Sequence, residues 1–326
     1  MALKRCGWVV LRSNDDWRMT HLPKTVVLAN CTHLSIARGL RMSGRIGSVA
    51  SFQLFDLDRD KYEVVLGHLD AADLIVTIEH GDSFRDLATT ALKERYGAKV
   101  LTLATPFFAG YAPDLAYIRR GSLAVRNDDL LGDYHSAVLL NEVRNGLTRN
   151  ETVARYVSGE SLAELDLKAL WDRSLAELRR REDHVDVRVS DIIEAEAKKQ
   201  HLFLSFNHPS HWMISAICQR ILNRALGGDE NRLLLPASFH NLYHGALWPA
   251  LKATRSANGL DFDMPPFFKA PAALGGKVLS VQEFAAQSFD FFSNHADSAD
   301  LSVATPFYLN QFLGASQREP ALKEMK

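Results

Sequence analysis

Apolar and polar positions alternate along the first third of the chain in blocks that predict strands and helices in turn. Short runs rich in Val, Ile and Leu predict strands at residues 25–28, 49–55, 74–78 and 99–103. Amphipathic stretches between them predict helices at residues 34–42 and 83–96. This alternation is typical of an α/β fold, with a parallel sheet and helices on both faces.

Beyond about residue 120 the pattern becomes mainly helical. Helical spacing of apolar residues is found at 134–145, 151–158, 162–181, 189–199, 212–226 and 281–295, with one short strand at 201–206. The sequence therefore predicts an N-terminal arm at 1–22, an α/β subdomain at 23–120 and a largely helical part at 121–326. We expect a ligand cleft between the last two parts, because open α/β sheets bind ligands at their carboxyl edge.

Composition is typical of a globular protein and narrows the range of partners. The 326 residues are 47% hydrophobic and 24% charged, and the net charge of -1 predicts no binding to nucleic acid or to an anionic membrane. Cys6, Cys31 and Cys218 are far apart, which indicates a reducing compartment rather than a disulfide framework. No apolar run reaches the roughly 18 residues of a membrane span or forms a secretory signal, so we expect a cytoplasmic protein without membrane insertion.

Chemistry is concentrated in a polar turn after the first strand, which consists of Asn30, Cys31, Thr32 and His33. The first N–H groups of the helix that follows have no partner inside the helix, so the turn can hold an anion. We expect Asn30 or Thr32 to cap this helix and its N-terminus to lower the pKa of the Cys31 thiol. The alternative, which the sequence leaves open, is that Cys31 is a small buried apolar residue.

A second polar turn follows the strand at 201–206. It places His208 and His211 on either side of Pro209. No Asp, Glu or Cys at a suitable spacing completes a metal site, so we predict none. A neutral imidazole can accept a proton from a sugar hydroxyl, which makes His208 a possible general base. The alternative is that His208 shapes the turn and His211 caps the helix or lies at the surface.

A third polar segment indicates a different class of enzyme. Gly81, Asp82 and Ser83 follow the strand at 74–78 and resemble the nucleophile block of SGNH/GDSL esterases, which makes Ser83 a possible nucleophile. The other blocks of that family are missing, since no Asp-x-x-His is found near the C-terminus. Asp82 and Ser83 are also residue types that commonly cap helices.

Taken together, four segments resemble the WcbI family of polysaccharide biosynthesis enzymes in their order and spacing. They are residues 28–31, 71–76, 105–115 and 206–209. The resemblance runs from about Lys24 to Leu226. The chain departs from the family after the Asn-Cys pair, where Gln or His is usual and Thr32 stands here. The sequence therefore leaves undecided which contact Thr32 makes.

The resemblance implies a coenzyme A-binding enzyme that transfers an acetyl group to a sugar hydroxyl of a capsular polysaccharide. Its co-substrate is then acetyl-coenzyme A, and its partners are a sugar or polysaccharide precursor and other capsule biosynthesis proteins. Acyl transfer needs a base for the hydroxyl and donors for the charge on the carbonyl oxygen. His208 or His33 can supply the base, and the Asn30 amide with the helix N-terminus can supply the donors.

The predicted site residues form three groups. The catalytic candidates are Cys31, His33 and His208. The cofactor, whose phosphates need cations or helix N-termini, is expected to contact Asn30, Cys31, Thr32, His33, Arg38, Arg41, His80, Arg119 and Arg120. The sugar is expected to contact Tyr111, Asp114, Asn207, Ser210 and His211.

The sequence leaves two chemical routes and two other functions open. The hydroxyl can attack the thioester directly while a histidine takes its proton, which we prefer, or Cys31 can accept the acetyl group first. The other functions are an SGNH-like carbohydrate esterase that uses Ser83 and a non-catalytic module that binds a nucleotide or a glycan.

Overall fold

The computed structural model has a mixed α/β architecture, which confirms the predicted fold class. It describes residues 22–228, 233–236, 239, 245–264, 266–295 and 301–304; the predicted N-terminal arm up to residue 21, with Cys6, lies outside them. The parallel sheet consists of β1 (Lys24–Ala29), β2 (Ser48–Gln53), β3 (Leu74–Ile78) and β4 (Val100–Leu103). Helices α1 (His33–Met42), α2 (Arg59–Asp70) and α3 (Thr89–Tyr96) connect these strands.

The order of strands in this sheet determines where a ligand can bind. The order is β2-β1-β3-β4, and all neighbours are parallel. The chain moves outward from β1 to β2 and then crosses back to β3, so the direction of winding reverses between β1 and β3. In open α/β sheets the crevice at the carboxyl end of such a pair is the usual ligand site. The turn that contains Cys31 lies there, directly after β1.

The rest of the described chain is mainly helical. Its helices are α4 (Ala137–Arg144), α5 (Arg149–Ser158), α6 (Glu160–Ala163), α7 (Leu167–Arg181), α8 (Ser190–Glu196), α9 (His211–Leu226), α10 (Lys252–Asn258) and α11 (Val281–Ser293). Its strands are β5 (Leu115–Arg120), β6 (Leu123–Ala124), β7 (His135–Ser136), β8 (Phe203–Ser205), β9 (His208–Pro209), β10 (Phe267–Lys269), β11 (Val278–Ser280) and β12 (Leu301–Ala304). Within the described ranges, no helix has the length and apolar character that crossing a bilayer requires.

Two hydrophobic cores hold these elements together. The first surrounds the parallel sheet and includes Val76 of β3, Leu178 of α7 and Ile217 of α9. The second lies between β5, α4, α5 and α11 and includes Ile118 and Phe284. Because the first core draws residues from both sides of position 120, helices from the second half of the chain complete the packing of the sheet. The domain boundary at residue 120 stays a prediction.

Some elements differ from the sequence prediction for local reasons. The helix expected at 83–96 begins only at Thr89, because Arg85 has a φ of 54° that an α-helix does not accommodate. The helix expected at 162–181 is divided into α6 and α7, where the Asp166 side chain caps a new helix start. Helix α2 was not predicted, since only Val65 and Leu69 of its residues are buried.

Helices α1 and α9 approach each other closely at Gly39. The Cys218 thiol of α9 lies 3.6 Å from the backbone oxygen of Ile36 in α1. A Cβ atom built on Gly39 would lie 2.7 Å from Cys218 Sγ and 3.3 Å from Cγ2 of Ile214. Both helices begin directly after a polar turn, so this contact also determines how the two turns are placed.

We expect Gly39→Ala to lower the free energy of unfolding by about 1–3 kcal/mol, because the added methyl group overpacks the contact between α1 and α9. Urea denaturation measures the change. Adding Cys218→Ala to Gly39→Ala should recover part of the lost stability, since the second substitution removes the Sγ atom that lies nearest to the new methyl group.

Gly67→Ala is the control for the change in helix propensity. Gly67 lies in α2 with nothing within 4 Å of a built Cβ, and the substitution should stabilise by about 0.5–1 kcal/mol. Equal effects of the two substitutions would contradict the packing argument.

Candidate active site

The two polar turns predicted from the sequence meet at one point in the fold. Cys31 Sγ lies 3.7 Å from Nε2 of His208, although the two residues are 177 positions apart. Cys31 follows β1 at the carboxyl edge of the parallel sheet, and His208 precedes α9. The two turns are therefore neighbours in the fold, as the predicted catalytic set of Cys31, His33 and His208 requires.

A tight turn between β8 and β9 holds His208 in place. The two strands pair antiparallel with Ser205 opposite His208. The backbone oxygen of Phe206 in the turn accepts a hydrogen bond from Phe108 N at 2.7 Å, which ties the turn to the segment after β4. Gly245 covers the imidazole, since a Cβ there would lie 3.1 Å from the ring carbons Cγ and Cδ2. Only 6% of His208 is exposed as a result.

A hydrogen-bond network surrounds Nδ1 of His208. Nδ1 lies 2.7 Å from Ser205 Oγ and 3.3 Å from the Tyr134 hydroxyl. Both hydroxyls donate to Asn207 Oδ1, at 3.0 Å from Ser205 and 3.1 Å from Tyr134. Because the amide oxygen of Asn207 can only accept, we assign both hydroxyl protons to it and the ring proton to Nδ1, which then donates to Ser205. The lone pair of Nε2 then faces Cys31.

Two tyrosines support this network from the far side. Asn207 Nδ2 donates to the Tyr117 hydroxyl at 3.0 Å, and the rings of Tyr117 and Tyr134 lie 5.5 Å apart. Burial raises the pKa of Tyr117 to about 12 and that of Tyr134 well above its ordinary value, so both stay protonated at neutral pH. Both ends of the Asn207 amide are thus used inside the protein. Asn207 positions His208 in this way, and because its Nδ2 carries a second N–H group, the predicted sugar contact stays a prediction.

Sequence analysis missed three members of this network, Ser205, Tyr117 and Tyr134. Neither tyrosine belongs to a local motif, because each reaches the site only through the fold. Ser205 lies three residues before His208, and this spacing across a short turn was the only available signal.

Burial away from water determines the pKa values of His208 and Cys31. Burial lowers the pKa of His208 to about 4, so the ring is neutral at physiological pH. Solvent reaches part of the Cys31 side chain, but the surrounding atoms raise the pKa of its thiol to about 11. The prediction that the helix N-terminus lowers this pKa is therefore wrong, because desolvation outweighs the favourable backbone hydrogen bond.

The first turns of α1 and α9 are not capped by their own N-cap side chains. The N-cap residues are Thr32 and Ser210, and neither side chain bonds to its helix. Asn30 Oδ1 instead accepts from the backbone N and the hydroxyl of Thr32, at 3.0 and 2.8 Å, so the predicted capping is wrong. Among the described residues, Ser210 Oγ and His33 Nδ1 are buried without a hydrogen-bond partner. The first-turn N–H groups favour an anionic or polar ligand.

Two residues predicted to bind the sugar lie in the core instead. The Tyr111 hydroxyl donates to the backbone oxygen of Ala197 at 2.6 Å. Asp114 is fully buried and accepts from Ser136 Oγ at 2.7 Å and from the Tyr156 hydroxyl at 2.8 Å, and burial raises its pKa. A sugar reaches neither side chain, so the predicted contacts of Tyr111 and Asp114 are wrong. His211 is the first residue of α9, and its ring lies 4.8 Å from that of Trp212.

The predicted phosphate-binding arginines are spread over two elements. Arg38 is exposed on α1, whereas Arg41 donates to a backbone oxygen of β2 at 2.9 Å. Arg41 belongs to the last turn of α1, about 12 Å along the axis from the helix start, so it lies away from the site. Arg119 and Arg120 are exposed at the end of β5. Arg119 shares a strand face with Tyr117, since alternate residues of a strand point the same way, and Arg120 points to the other face.

His80 is engaged by the backbone of its own loop. Its Nδ1 lies 2.6 Å from the backbone oxygen of Ile78, and its Nε2 contacts that of Leu87. Neither nitrogen is left for the predicted cofactor contact or for activation of Ser83. The described residues contain no group of three His, Cys, Asp or Glu side chains that could hold a metal ion.

Comparisons with known proteins point to one family. The model of the family described as "Polysaccharide biosynthesis enzyme WcbI" matches residues 24–231. A solved structure of WcbI, a native form without a disulfide bond between coenzyme A and one of its cysteines, is similar to this chain with a TM-score of 0.65 and 18% identity. The similarity covers 84% of this chain and 91% of that chain, and at this identity it shows a shared fold. No curated protein matches the sequence.

Protonation of His208 should make stability depend on pH. Because its pKa falls from 6.5 to about 4 on folding, the unfolded chain binds the proton more tightly. The stabilisation of the fold by a neutral His208 is therefore complete above pH 6.5, and it is lost as the pH falls toward 4. Between about pH 7.5 and about pH 5 the free energy of unfolding should fall by about 2 kcal/mol more in the wild type than in His208→Asn. Urea denaturation at both values measures the difference.

Ser205→Ala serves as the matched control. It removes the partner of Nδ1 but keeps the buried imidazole, so most of the pH dependence should remain. Identical pH dependence in the wild type and in His208→Asn would contradict the assigned burial of a neutral ring.

Proposed function

The chain belongs to the WcbI family of polysaccharide biosynthesis enzymes, and on this premise we propose that it transfers an acetyl group from acetyl-coenzyme A to a sugar hydroxyl. The acceptor is a precursor of a capsular or surface polysaccharide, and the reaction takes place in the cytoplasm. One observation carries the proposal: Nε2 of His208 faces Cys31 beside two helix starts whose N-cap side chains leave them uncapped.

His208 is the proposed general base. Its Nε2 accepts the hydroxyl proton while the sugar oxygen forms a bond to the thioester carbonyl carbon. The carbon–sulfur bond then breaks, and the imidazolium returns the proton to the leaving sulfur. A base with a pKa of about 4 is weak at rest, so we expect the imidazolium and the oxyanion to form together and to stabilise each other.

The oxyanion is stabilised, in this proposal, by donors that the protein leaves unused. The N–H groups in the first turns of α1 and α9 carry the positive end of each helix dipole. Asn30 accepts through Oδ1, which leaves its Nδ2 as a further donor. Arg38 and Arg119 are the proposed cations for the phosphates of the co-substrate.

In this mechanism Cys31 shapes the pocket and does not act as a nucleophile. The similar WcbI structure is a form without a disulfide bond between coenzyme A and one of its cysteines. We propose that Cys31 of this chain lies beside the thioester of the bound co-substrate. With a pKa of about 11 the Cys31 thiol is protonated at neutral pH. A nucleophilic role requires the thiolate, so the high pKa favours direct attack by the sugar hydroxyl.

Kinetics of two variants distinguish direct from covalent transfer. With acetyl-coenzyme A and a panel of sugars and oligosaccharides as acceptors, Cys31→Ala should keep at least about a third of the turnover. His208→Asn should lose about 100-fold or more, since it removes the base. Mass spectrometry of the acetylated sugar measures both rates.

Cys218→Ala is the control for the loss of a thiol away from the site. An acetyl group trapped on Cys31, most readily in His208→Asn, would overturn direct attack in favour of covalent transfer.

Ligand binding can be tested without a known acceptor. At about 100 times the dissociation constant, coenzyme A and acetyl-coenzyme A should each raise the melting temperature by about 3–6 °C. Sugar nucleotides and nicotinamide cofactors should not. Arg119→Ala should reduce the shift, whereas Arg41→Ala, which lies away from the site, should leave it unchanged.

The absence of any response to coenzyme A would contradict the proposal. A clear response without acetyl transfer to any sugar would instead indicate a binding module that is not an enzyme.

A further inference from the structure

An aromatic pair lies at the carboxyl edge of the parallel sheet, the edge that also carries Cys31. Phe55 is the second residue after the end of β2, and Phe84 belongs to the segment between β3 and α3. Their ring centroids are 5.4 Å apart and the ring planes meet at 75°, which is an edge-to-face contact. Since β2 and β3 lie on either side of β1, this contact spans the end of β1.

The strand register places the pair within reach of a ligand that also contacts Cys31. Ala29, the last residue of β1, lies opposite Gln53, the last residue of β2. Cys31 and Phe55 are therefore each two residues beyond a level edge. Neighbouring strands of a sheet are about 5 Å apart, so one extended ligand can contact both positions.

Of the two rings, Phe84 is held in place and Phe55 is open to solvent. Phe84 packs against the first core, and the His80 ring lies 4.9 Å from it at an angle of 83°. His80 is itself held by the backbone oxygens of Ile78 and Leu87. Phe55, in contrast, is 59% exposed although it is a large apolar side chain. A braced aromatic surface with an exposed side suits a flat ligand that stacks on it.

The next residue, Arg85, supplies a positive charge beside the pair. Among the described residues it is the only one other than glycine with a positive φ, 54°. Such conformations are uncommon and cluster at ligand sites. Arg85 is exposed, and its guanidinium forms no ion pair within the part of the chain that the structure describes. The neighbouring Asp86 carboxylate accepts the Tyr62 hydroxyl at 3.1 Å instead. A phosphate group is a strong partner for such a guanidinium.

We propose that Phe55, Phe84 and Arg85 bind the adenosine end of the co-substrate, with the adenine ring stacked on Phe55 and the 3′-phosphate on Arg85. This inference rests on the proposed function, because it assigns a place to one part of acetyl-coenzyme A. Coenzyme A carries the 3′-phosphate in addition to its pyrophosphate, so Arg85 adds to Arg38 and Arg119. The pantetheine arm then runs from the aromatic pair to the thioester.

Calorimetric titration with coenzyme A, with adenosine 3′,5′-bisphosphate and with 4′-phosphopantetheine tests the proposal. The bisphosphate is the adenosine end alone, and phosphopantetheine lacks that end. Phe55→Ala should weaken the binding of coenzyme A and of the bisphosphate about fivefold or more, because a base loses the aromatic ring on which it stacks. Its affinity for phosphopantetheine should stay within about twofold of the wild-type value.

Phe55→Trp is the conservative variant and should keep the affinity for coenzyme A within about twofold, since it keeps an aromatic face. Val278→Ala is the matched control for the loss of an exposed apolar side chain, because Val278 is 54% exposed but lies in β11, outside the parallel sheet. Arg85→Gln should weaken coenzyme A binding about threefold at low salt and less at high salt. Phe55 and Arg85 are both exposed, so we expect these variants to fold.

Equal binding of coenzyme A by the wild type and by Phe55→Ala would overturn this proposal and leave the proposed acetyl transfer standing. A wild type that binds neither coenzyme A nor the bisphosphate would overturn both. Binding of the bisphosphate that depends on Phe55, without acetyl transfer to any sugar, would support the adenosine site alone. If Phe55→Ala raises only the KM of a sugar acceptor, the aromatic pair belongs to the acceptor site and the proposal is wrong.

Discussion

The hydrogen bond from Nδ1 of His208 to Ser205 Oγ is the interaction on which the site depends. A buried imidazole must satisfy its one N–H group inside the protein, and the turn between β8 and β9 provides the acceptor three residues away. With Nδ1 committed, Nε2 has no proton and faces Cys31. The fixed tautomer gives the ring a defined basic nitrogen, which a freely rotating surface histidine lacks.

The geometry of the Cys31–His208 pair also depends on two elements that lie far apart in the sequence. Cys31 takes its position from the end of β1, where the winding of the parallel sheet reverses. His208 takes its position from the start of α9, which packs on α1 through Gly39. The site is therefore a product of one close helix contact and one feature of sheet topology. Neither turn alone would bring a thiol and an imidazole within 3.7 Å.

Sequence reasoning succeeded where the signal was local. The continuous apolar runs of β1 and β3 identified buried strands, and the polar turns at Cys31 and His208 identified two segments that meet in the fold. It failed where the outcome depended on the folded environment. Desolvation raises the pKa of Cys31, and the core encloses Tyr111, and neither effect has a local sequence signature. Tyr117 and Tyr134 were missed for the same reason.

The pairing of β12 with β5 has a consequence for biosynthesis. Ala304 of β12 is the register partner of Tyr117, the strand residue that braces the Asn207 amide. A nascent chain emerging from the ribosome completes this pairing only after residue 304 has been made, although β1 and the Cys31 turn emerge early. Pairings between distant segments form late and slowly. The strand that carries Tyr117 thus gains its β12 neighbour last, and a polypeptide whose translation stops before β12 would lack that pairing.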